Sequence, residues 1–177
     1  MRLHVTTLLL ATALTGCQDR EPIAAPIFAA TAPPAPAMQR VAFLSVSSLT
    51  PDAGSMVVVE GNIGDGESSS IASFVVRLAY DATALHFVRE VQLPGMMRVV
   101  NPQGKEIIVA AASGSGSSDS RLFAVEFLVD DPVGLASLVM TLNEVNDREF
   151  NSQLALITSS PILVFDKRLA ALPSSPR

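Results

Sequence analysis

The sequence offers few of the residues from which catalytic and metal sites are usually built. Its 177 residues include no tryptophan, one tyrosine, one cysteine and two histidines. A single cysteine excludes an intrachain disulfide and a multi-cysteine metal centre. Acidic residues outnumber basic ones, 17 to 12, for a formal charge of −5. An acidic chain without a basic cluster gives no electrostatic basis for binding nucleic acid.

The N-terminal segment has the layout of an export signal. Arg2 is followed by an apolar run at residues 8–11, which is too short to span a bilayer. The run leads into Leu14-Thr15-Gly16-Cys17, which resembles the lipobox of bacterial lipoproteins. The resemblance implies removal of residues 1–16, a diacylglycerol on the Cys17 thiol and a fatty acid on its amine. An ordinary signal with a chance cysteine is the alternative.

Lipidation at Cys17 predicts a location in the bacterial cell envelope. Two or three acyl chains hold a protein firmly to a membrane, since each buried methylene contributes about 0.8 kcal/mol. Gln18, rather than aspartate, follows the cysteine and favours the outer membrane. Residues 17–40 are rich in proline and alanine and predict an extended tether, whereas residues 166–177 predict a disordered tail.

The segment from residue 41 to 165 predicts an all-β domain. Short apolar runs alternate with turn residues at the spacing of a sandwich or jelly roll. Residues 113–120, Ser-Gly-Ser-Gly-Ser-Ser-Asp-Ser, predict a flexible loop. The predicted strands are Ala42–Ser48, Ser55–Ile63, Ile71–Tyr80, Ala84–Gln92, Met97–Asn101, Glu106–Ala112, Arg121–Asp130, Ala136–Val145, Gln153–Ile157 and Ile162–Phe165.

Two of these strands predict the inner walls of the sandwich. Period-two alternation places one apolar row on each strand, with Asp81 opening a turn at the end of the first row. Facing rows of this kind pack about 10 Å apart. The rows are Phe74, Val76, Leu78 and Tyr80 on the first strand, and Phe123, Val125, Phe127 and Val129 on the second.

Four segments in this order resemble a cohesin domain. They are residues 54–63 (GSMVVVEGNI), residues 71–87 with Tyr80-Asp81 followed by Leu85, residues 104–112 (GKEIIVAAA) and residues 121–129 (RLFAVEFLV). The resemblance implies a nine-stranded jelly roll without catalytic activity. It also implies a protein partner, dockerin-like or another envelope protein, contacted by the strand before Tyr80. The candidate binding residues on that strand are Ser73, Val75 and Arg77.

No residue pattern predicts an enzyme. His4 would leave with the signal, so a Ser-His-Asp triad would depend on His86, which occupies an outward position on a predicted strand. The carboxylates are dispersed rather than paired as in glycosidases. The sequence therefore predicts a non-catalytic binding module without a cofactor or metal. Residues 64–68 and 143–147 could supply oxygen ligands to calcium, but polar turns are the simpler interpretation.

Two further questions stay open at the level of sequence. A carbohydrate-binding lipoprotein for polysaccharide capture or breakdown is the alternative function, although such surfaces usually present exposed Trp or Tyr rings. Met96 and Met97 would suit an irregular partner if exposed, but core packing is the favoured interpretation for both.

Overall fold

Two β-sheets form the part of the chain described by the computed structural model, which comprises residues 39–64 and 71–170. Nine strands and one short helix lie within these ranges, and two 3-10 turns, Pro132–Ser137 and Leu154–Leu156, connect some of them. The elements are β1 (Arg40–Val46), β2 (Met56–Gly64), β3 (Ile71–Ala79), β4 (Leu85–Glu90), β5 (Met97–Gln103), β6 (Glu106–Ser117), β7 (Arg121–Val129), β8 (Val139–Asn146), β9 (Ile157–Phe165) and α1 (Lys167–Ala170).

The strand order identifies the architecture. One sheet has five strands in the order β4-β7-β2-β1-β9, and the other has four in the order β5-β6-β3-β8. Neighbouring strands are antiparallel, except that β9 runs parallel to β1. The predicted all-β fold, a nine-stranded jelly-roll sandwich, is confirmed.

The core lies between the sheets, where the two predicted apolar rows meet. Side chains of β3 and β7 fill it from opposite walls, and Phe74, Phe123 and Phe127 are among its largest fully buried members. The Phe127 ring packs edge-on against Tyr80 and Phe87, with ring centroids 5.0 and 6.3 Å away. The Phe123 ring lies over Gly61 of β2, at a place where a Cβ would collide with it.

Strands β2 and β7, which lie inside the five-stranded sheet, are buried on both faces. Val58 and Glu60 of β2 and Ala124 of β7 point away from the core, yet they are covered. The cover is the β4–β5 connection (residues 91–96) together with α1. Leu93 and Leu169 from these segments form a second apolar cluster with Val58 and Ala124. Strand β3 of the other sheet instead shows the simple alternation of a half-buried strand.

Three segments differ from the sequence prediction. Residues 113–117 were expected in a loop, but they extend β6 and reach Ile71 of β3 past a bulge. The predicted strand Gln153–Ile157 is mostly the 3-10 turn Leu154–Leu156, whereas the predicted strand Ile162–Phe165 is the second half of the longer β9. The register of β9 on β1 shifts between Ala42 and Leu44. The tail does not begin at Asp166, because Asp166 accepts a hydrogen bond from the Arg168 amide and Leu169 is buried.

The predictions for the signal, for Cys17 and for nearly all of the tether concern residues 1–38, outside the described residues, as do those for residues 171–177. Across residues 39–64 and 71–170, none of the helical segments has the length and apolar character needed to cross a membrane.

Candidate functional site

The three predicted binding residues lie together on the outer face of the four-stranded sheet. Ser73, Val75 and Arg77 alternate along β3 with the buried Phe74, Val76 and Leu78. Strand β3 pairs with β6 on one side and β8 on the other, so these residues lie on an inner strand of the face, with Val75 between the other two. The structure thus brings all three to one surface, which we call the open face.

Cross-strand pairing arranges the open face in rows. Val75 lies between Ala110 of β6 and Glu144 of β8, and Val99 of β5 continues the row beyond Ala110. Side chains directly opposite one another on paired strands lie about 5 Å apart and interact. The row on one side of this one is Met97, Ala112, Ser73 and Asn146, and the row on the other side is Asn101, Ile108, Arg77 and Thr141.

The middle of the open face is apolar and accessible to solvent. Met97 is 78% exposed and Val99 is 64% exposed. These two side chains, with Val75 and the small Ala110 and Ala112, line a shallow depression of about 270 Å³. The expectation that Met97 packs in the core is wrong, because β5 turns its odd-numbered residues outward, whereas Met96 does pack against the core.

Polar groups at the margins of the open face are already paired. Arg77 Nη1 contacts Glu106 Oε1 at 2.9 Å. The Asn146 side-chain amide donates to Glu144 Oε1 at 2.7 Å and to Ser73 Oγ at 3.1 Å. The face therefore combines an apolar centre with a bonded polar rim, an arrangement typical of protein interfaces.

The Tyr80-Asp81 motif has a structural role beside this face. Asp81 Oδ1 accepts hydrogen bonds from the Thr83 amide at 2.9 Å and from the Thr83 hydroxyl at 2.7 Å, and these bonds lower the pKa of Asp81. They close the turn into β4 that the sequence predicts. Tyr80 is only 8% exposed, and burial raises the pKa of its hydroxyl.

The other sequence candidates occupy exposed turns and strand positions. His86 Nε2 lies 2.7 Å from Asp130 Oδ2, and about half of each side chain is exposed, as expected of a solvated strand histidine. Asp147 accepts hydrogen bonds from the amides of Glu149 and Asn151 and from the Gln153 side chain. Residues 143–147 therefore lead from β8 into a polar turn. Of residues 64–68, only Gly64 is described.

A second polar cluster was not anticipated from the sequence. Glu60, on the covered outer face of the five-stranded sheet, is 1% exposed, and burial raises its pKa despite the opposing charge of Arg121. Burial of Glu60 depends on segments distant in sequence, so no local pattern could have signalled it. The described residues contain no group of three or more His, Cys, Asp or Glu side chains placed to hold a metal ion.

The architecture and the open face define a class of fold, a cohesin-like jelly-roll sandwich. The non-cellulosomal cohesin of the archaeon Archaeoglobus fulgidus superimposes with a TM-score of 0.51 and is 20% identical, over 70% of this chain and 87% of that one. The sixth cohesin of scaffoldin B of Acetivibrio cellulolyticus, solved in complex with a Cel5 dockerin, gives a TM-score of 0.52 at 15% identity, over 71% and 99% of the two chains.

A third neighbour comes from another bacterium. A cohesin of Clostridium acetobutylicum, solved in solution, gives a TM-score of 0.50 at 13% identity, over 69% of this chain and 87% of that one. No protein-family profile and no curated protein sequence matches the chain. At these identities the likeness establishes the fold, and it confirms the resemblance drawn from the four sequence segments.

Proposed function

We propose that this protein is a non-catalytic binding module that docks a partner protein of the dockerin kind on its open face. The fold supports the proposal, because neighbours of the same fold include cohesins solved together with dockerins. The candidate residue Val75 would lie within the apolar part of the contact, and Ser73 and Arg77 would contribute to its polar margin.

The observation that carries the proposal is the exposed apolar centre of the open face. Met97 and Val99 stand in solvent beside Ala110 and Ala112, whose small side chains keep the surface shallow. A contiguous exposed apolar surface rimmed by polar groups marks interaction sites in soluble proteins. A shallow surface suits a protein partner, whereas small molecules bind in deep concave pockets.

Carbohydrate binding remains the alternative function, but the described aromatic residues do not favour it. Tyr80, the only tyrosine in the chain, is buried against Phe127 and cannot stack on a sugar. Phe150 is exposed, but it has no polar handle of the kind that Tyr and Trp provide. A glycan array probed with the full chain tests this alternative, and selective retention of one polysaccharide would favour it.

We further propose that lipid on Cys17 anchors the module in the bacterial envelope, in the outer membrane, with residues 18–39 as the tether. The support is the Leu14-Thr15-Gly16-Cys17 sequence after an apolar run. Intact-mass measurement of the membrane fraction should find a mature chain that begins at an acylated Cys17. Cys17→Ser should leave the signal attached, and a mature chain with an unmodified thiol contradicts the anchor.

The docking proposal is tested by placing a charge on each of two exposed valines. Val99→Asp puts a carboxylate in the apolar centre of the open face, whereas the matched control, Val88→Asp, puts one on edge strand β4 of the other sheet. A buried charge without a partner costs an interface more than about 1.4 kcal/mol, which is tenfold in affinity. We therefore expect Val99→Asp to weaken binding at least tenfold and Val88→Asp to leave it unchanged.

Binding is measured by surface plasmon resonance against purified dockerin modules and against candidate proteins isolated from the same envelope, with and without calcium. Both variants are first checked for an unchanged urea midpoint, so that a loss of binding cannot reflect unfolding. Equal loss in the two variants, or retained binding by Val99→Asp, overturns the assignment to the open face.

A further inference from the structure

A small pocket lies on the opposite side of the sandwich from the open face. It has a volume of about 150 Å³ and is bounded by β2, β7, the β4–β5 connection and α1. Val91, Leu93 and Leu169 contribute apolar walls, and the polar lining includes Glu60, Arg121 and Arg168. A water molecule occupies about 30 Å³ in the liquid, so the pocket has room for a few heavy atoms.

Glu60 lines this pocket, and its carboxylate contains an unsatisfied hydrogen-bond acceptor. Its carboxylate is almost wholly buried, and Oε2 accepts no hydrogen bond from any residue that the structure describes. Arg121 Nη1 lies 3.9 Å from Oε1, which is beyond hydrogen-bond range. A buried acceptor left in this state destabilises the folded protein, and more strongly when it is charged.

The two arginines beside Glu60 are each engaged by an aspartate two residues earlier. Arg121 donates from Nε and Nη2 to Asp119, and Arg168 donates in the same way to Asp166. These bonds lower the pKa of both aspartates, so the aspartates stay ionised at neutral pH. With Glu60 ionised, the cluster holds three carboxylates and two guanidiniums, a net charge of 2 − 3 = −1.

We propose that this pocket binds a primary alkylammonium group, which donates to Glu60 while its short alkyl chain packs against Val91, Leu93 and Leu169. The ammonium supplies the donor that Oε2 lacks and the positive charge that the cluster lacks. The group can belong to a free amine or to the side chain of a lysine, since both present the same chemistry.

The structure disfavours two other ligand classes. An anion would have to lie beside the unpaired carboxylate of Glu60, while the guanidiniums that could attract it are already neutralised. A calcium ion takes six to eight oxygen ligands, but here the oxygens of Asp119 and Asp166 are bonded to arginine. An ammonium group donates up to three hydrogen bonds, and a single carboxylate can accept one or two of them.

The test titrates the full chain with n-butylammonium at neutral pH, where an alkylamine with a pKa near 10.4 is charged. Amide shifts of residues 91–93 and 167–170 report occupancy by NMR. We expect saturable binding with a dissociation constant on the order of 1 mM, in keeping with so small a ligand. A parallel titration with N-acetyl-lysine amide asks whether a lysine side chain can be the source of the ammonium.

Two variants and one analogue separate the ammonium contact from general binding in an apolar cavity. Glu60→Gln preserves size but removes the charge and should weaken binding at least tenfold, because a hydrogen bond to a charged group is worth about 1.5–3 kcal/mol. Glu126→Gln is the matched control, since Glu126 is a second buried glutamate on the same face but is paired with Arg89, outside the pocket. It should bind as the wild type does.

The analogue n-butanol keeps the alkyl chain without the charge. Equal binding of n-butanol, undiminished binding by Glu60→Gln, or no saturation below about 100 mM n-butylammonium overturns the proposal, the last result meaning that water satisfies Glu60. The Val99→Asp variant should bind n-butylammonium normally, because the open face is on the other sheet. Failure of this proposal and failure of the docking proposal are therefore distinguishable.

Discussion

The outer faces of the two sheets are built in opposite ways. On the four-stranded sheet, Val99 and Met97 stand exposed and the charged groups at the margin are paired. On the five-stranded sheet, residues 91–96 and α1 cover the strands, and beneath them Glu60 Oε2 has no hydrogen-bond partner among the described residues. The open face presents apolar side chains to solvent, whereas the covered face of the five-stranded sheet shields the Glu60 carboxylate from solvent.

The comparison separates stability from recognition. Apolar side chains that are covered contribute to folding, whereas apolar side chains left in water contribute only when a partner covers them. Substitutions on the covered side should therefore change the free energy of unfolding, and substitutions on the open face should change binding. The predictions below test this division, beginning with the core that both sheets share.

Phe127→Ala should have the largest effect on stability. The Phe127 ring is fully buried and packs against Tyr80 and Phe87, so its loss combines a transfer term with a cavity. We expect the free energy of unfolding to fall by about 3–5 kcal/mol. Urea denaturation followed by circular dichroism measures it, and an unchanged midpoint would place Phe127 outside the core.

Leu93→Ala tests whether the cover on the five-stranded sheet is firmly packed. Leu93 is buried against Val58, Ala124 and Leu169 at the periphery of the domain. A loss of about 2 kcal/mol is expected, at the low end for a buried leucine because the site borders solvent. Hydrogen exchange at Leu169 should quicken in the same variant, and a change below about 0.5 kcal/mol would mean that the cover contributes little.

Glu60→Gln tests the cost of the covered carboxylate. Burial raises the pKa of Glu60 above its ordinary 4.5 in the folded protein, so the folded state binds this proton more tightly than the unfolded chain does. Its contribution to stability is complete below pH 4.5 and is lost as the pH rises through the raised value. Glutamine is uncharged at every pH tested, so the variant avoids the buried negative charge. It should be more stable than the wild type at neutral pH by about 1 kcal/mol.

Urea midpoints between pH 4.5 and neutral pH check this prediction. The stability gap between Glu60→Gln and the wild type should widen as the pH rises. Glu126→Gln, which loses its ion pair with Arg89, should be less stable than the wild type rather than more stable. A constant gap across the whole range would contradict a buried, titrating Glu60.

Val99→Ala on the open face should have the smallest effect on stability. Val99 is largely exposed, so its truncation should change the free energy of unfolding by less than about 0.5 kcal/mol. Thermal and urea midpoints measure it against Leu93→Ala. A loss as large as that of Leu93→Ala would mean that the open face is already covered in the free protein.

Local alternation was enough to predict the core of the fold. Phe74, Val76 and Leu78, and the row from Phe123 to Val129, fall on buried faces because side chains alternate strictly along a strand. The same alternation predicted that Ser73, Val75 and Arg77 point outward. The four segments that resemble cohesins predicted the jelly-roll topology. The turn at Asp81 followed from the ability of its carboxylate to bond nearby amides.

Other features depended on contacts between segments distant in sequence. Met97 looked like a core residue because its neighbours are apolar, but its pairing with Ala112 turns its side chain to the outer face of the sheet. Residues 113–117 have loop composition, yet the pairing of Ser117 with Ile71 holds them in a strand. The segment after Phe165 lacks an apolar period, and it is ordered by the packing of Leu169 on Ala124 and by the hydrogen bond from the Asp166 amide to the Val46 carbonyl.

The sequence by itself determined that the chain folds as a β-sandwich, which rows of side chains face inward and which three residues stand together on an outer face. It could do so because the alternation of side chains between the two faces of a strand depends only on neighbouring residues. Only the tertiary structure decided that one outer face stays open and the other is covered, and that Glu60 is buried beside two neutralised arginines. Those outcomes depend on the positions of the β4–β5 connection and the C-terminal helix. Many weak contacts between residues distant in sequence determine these positions together.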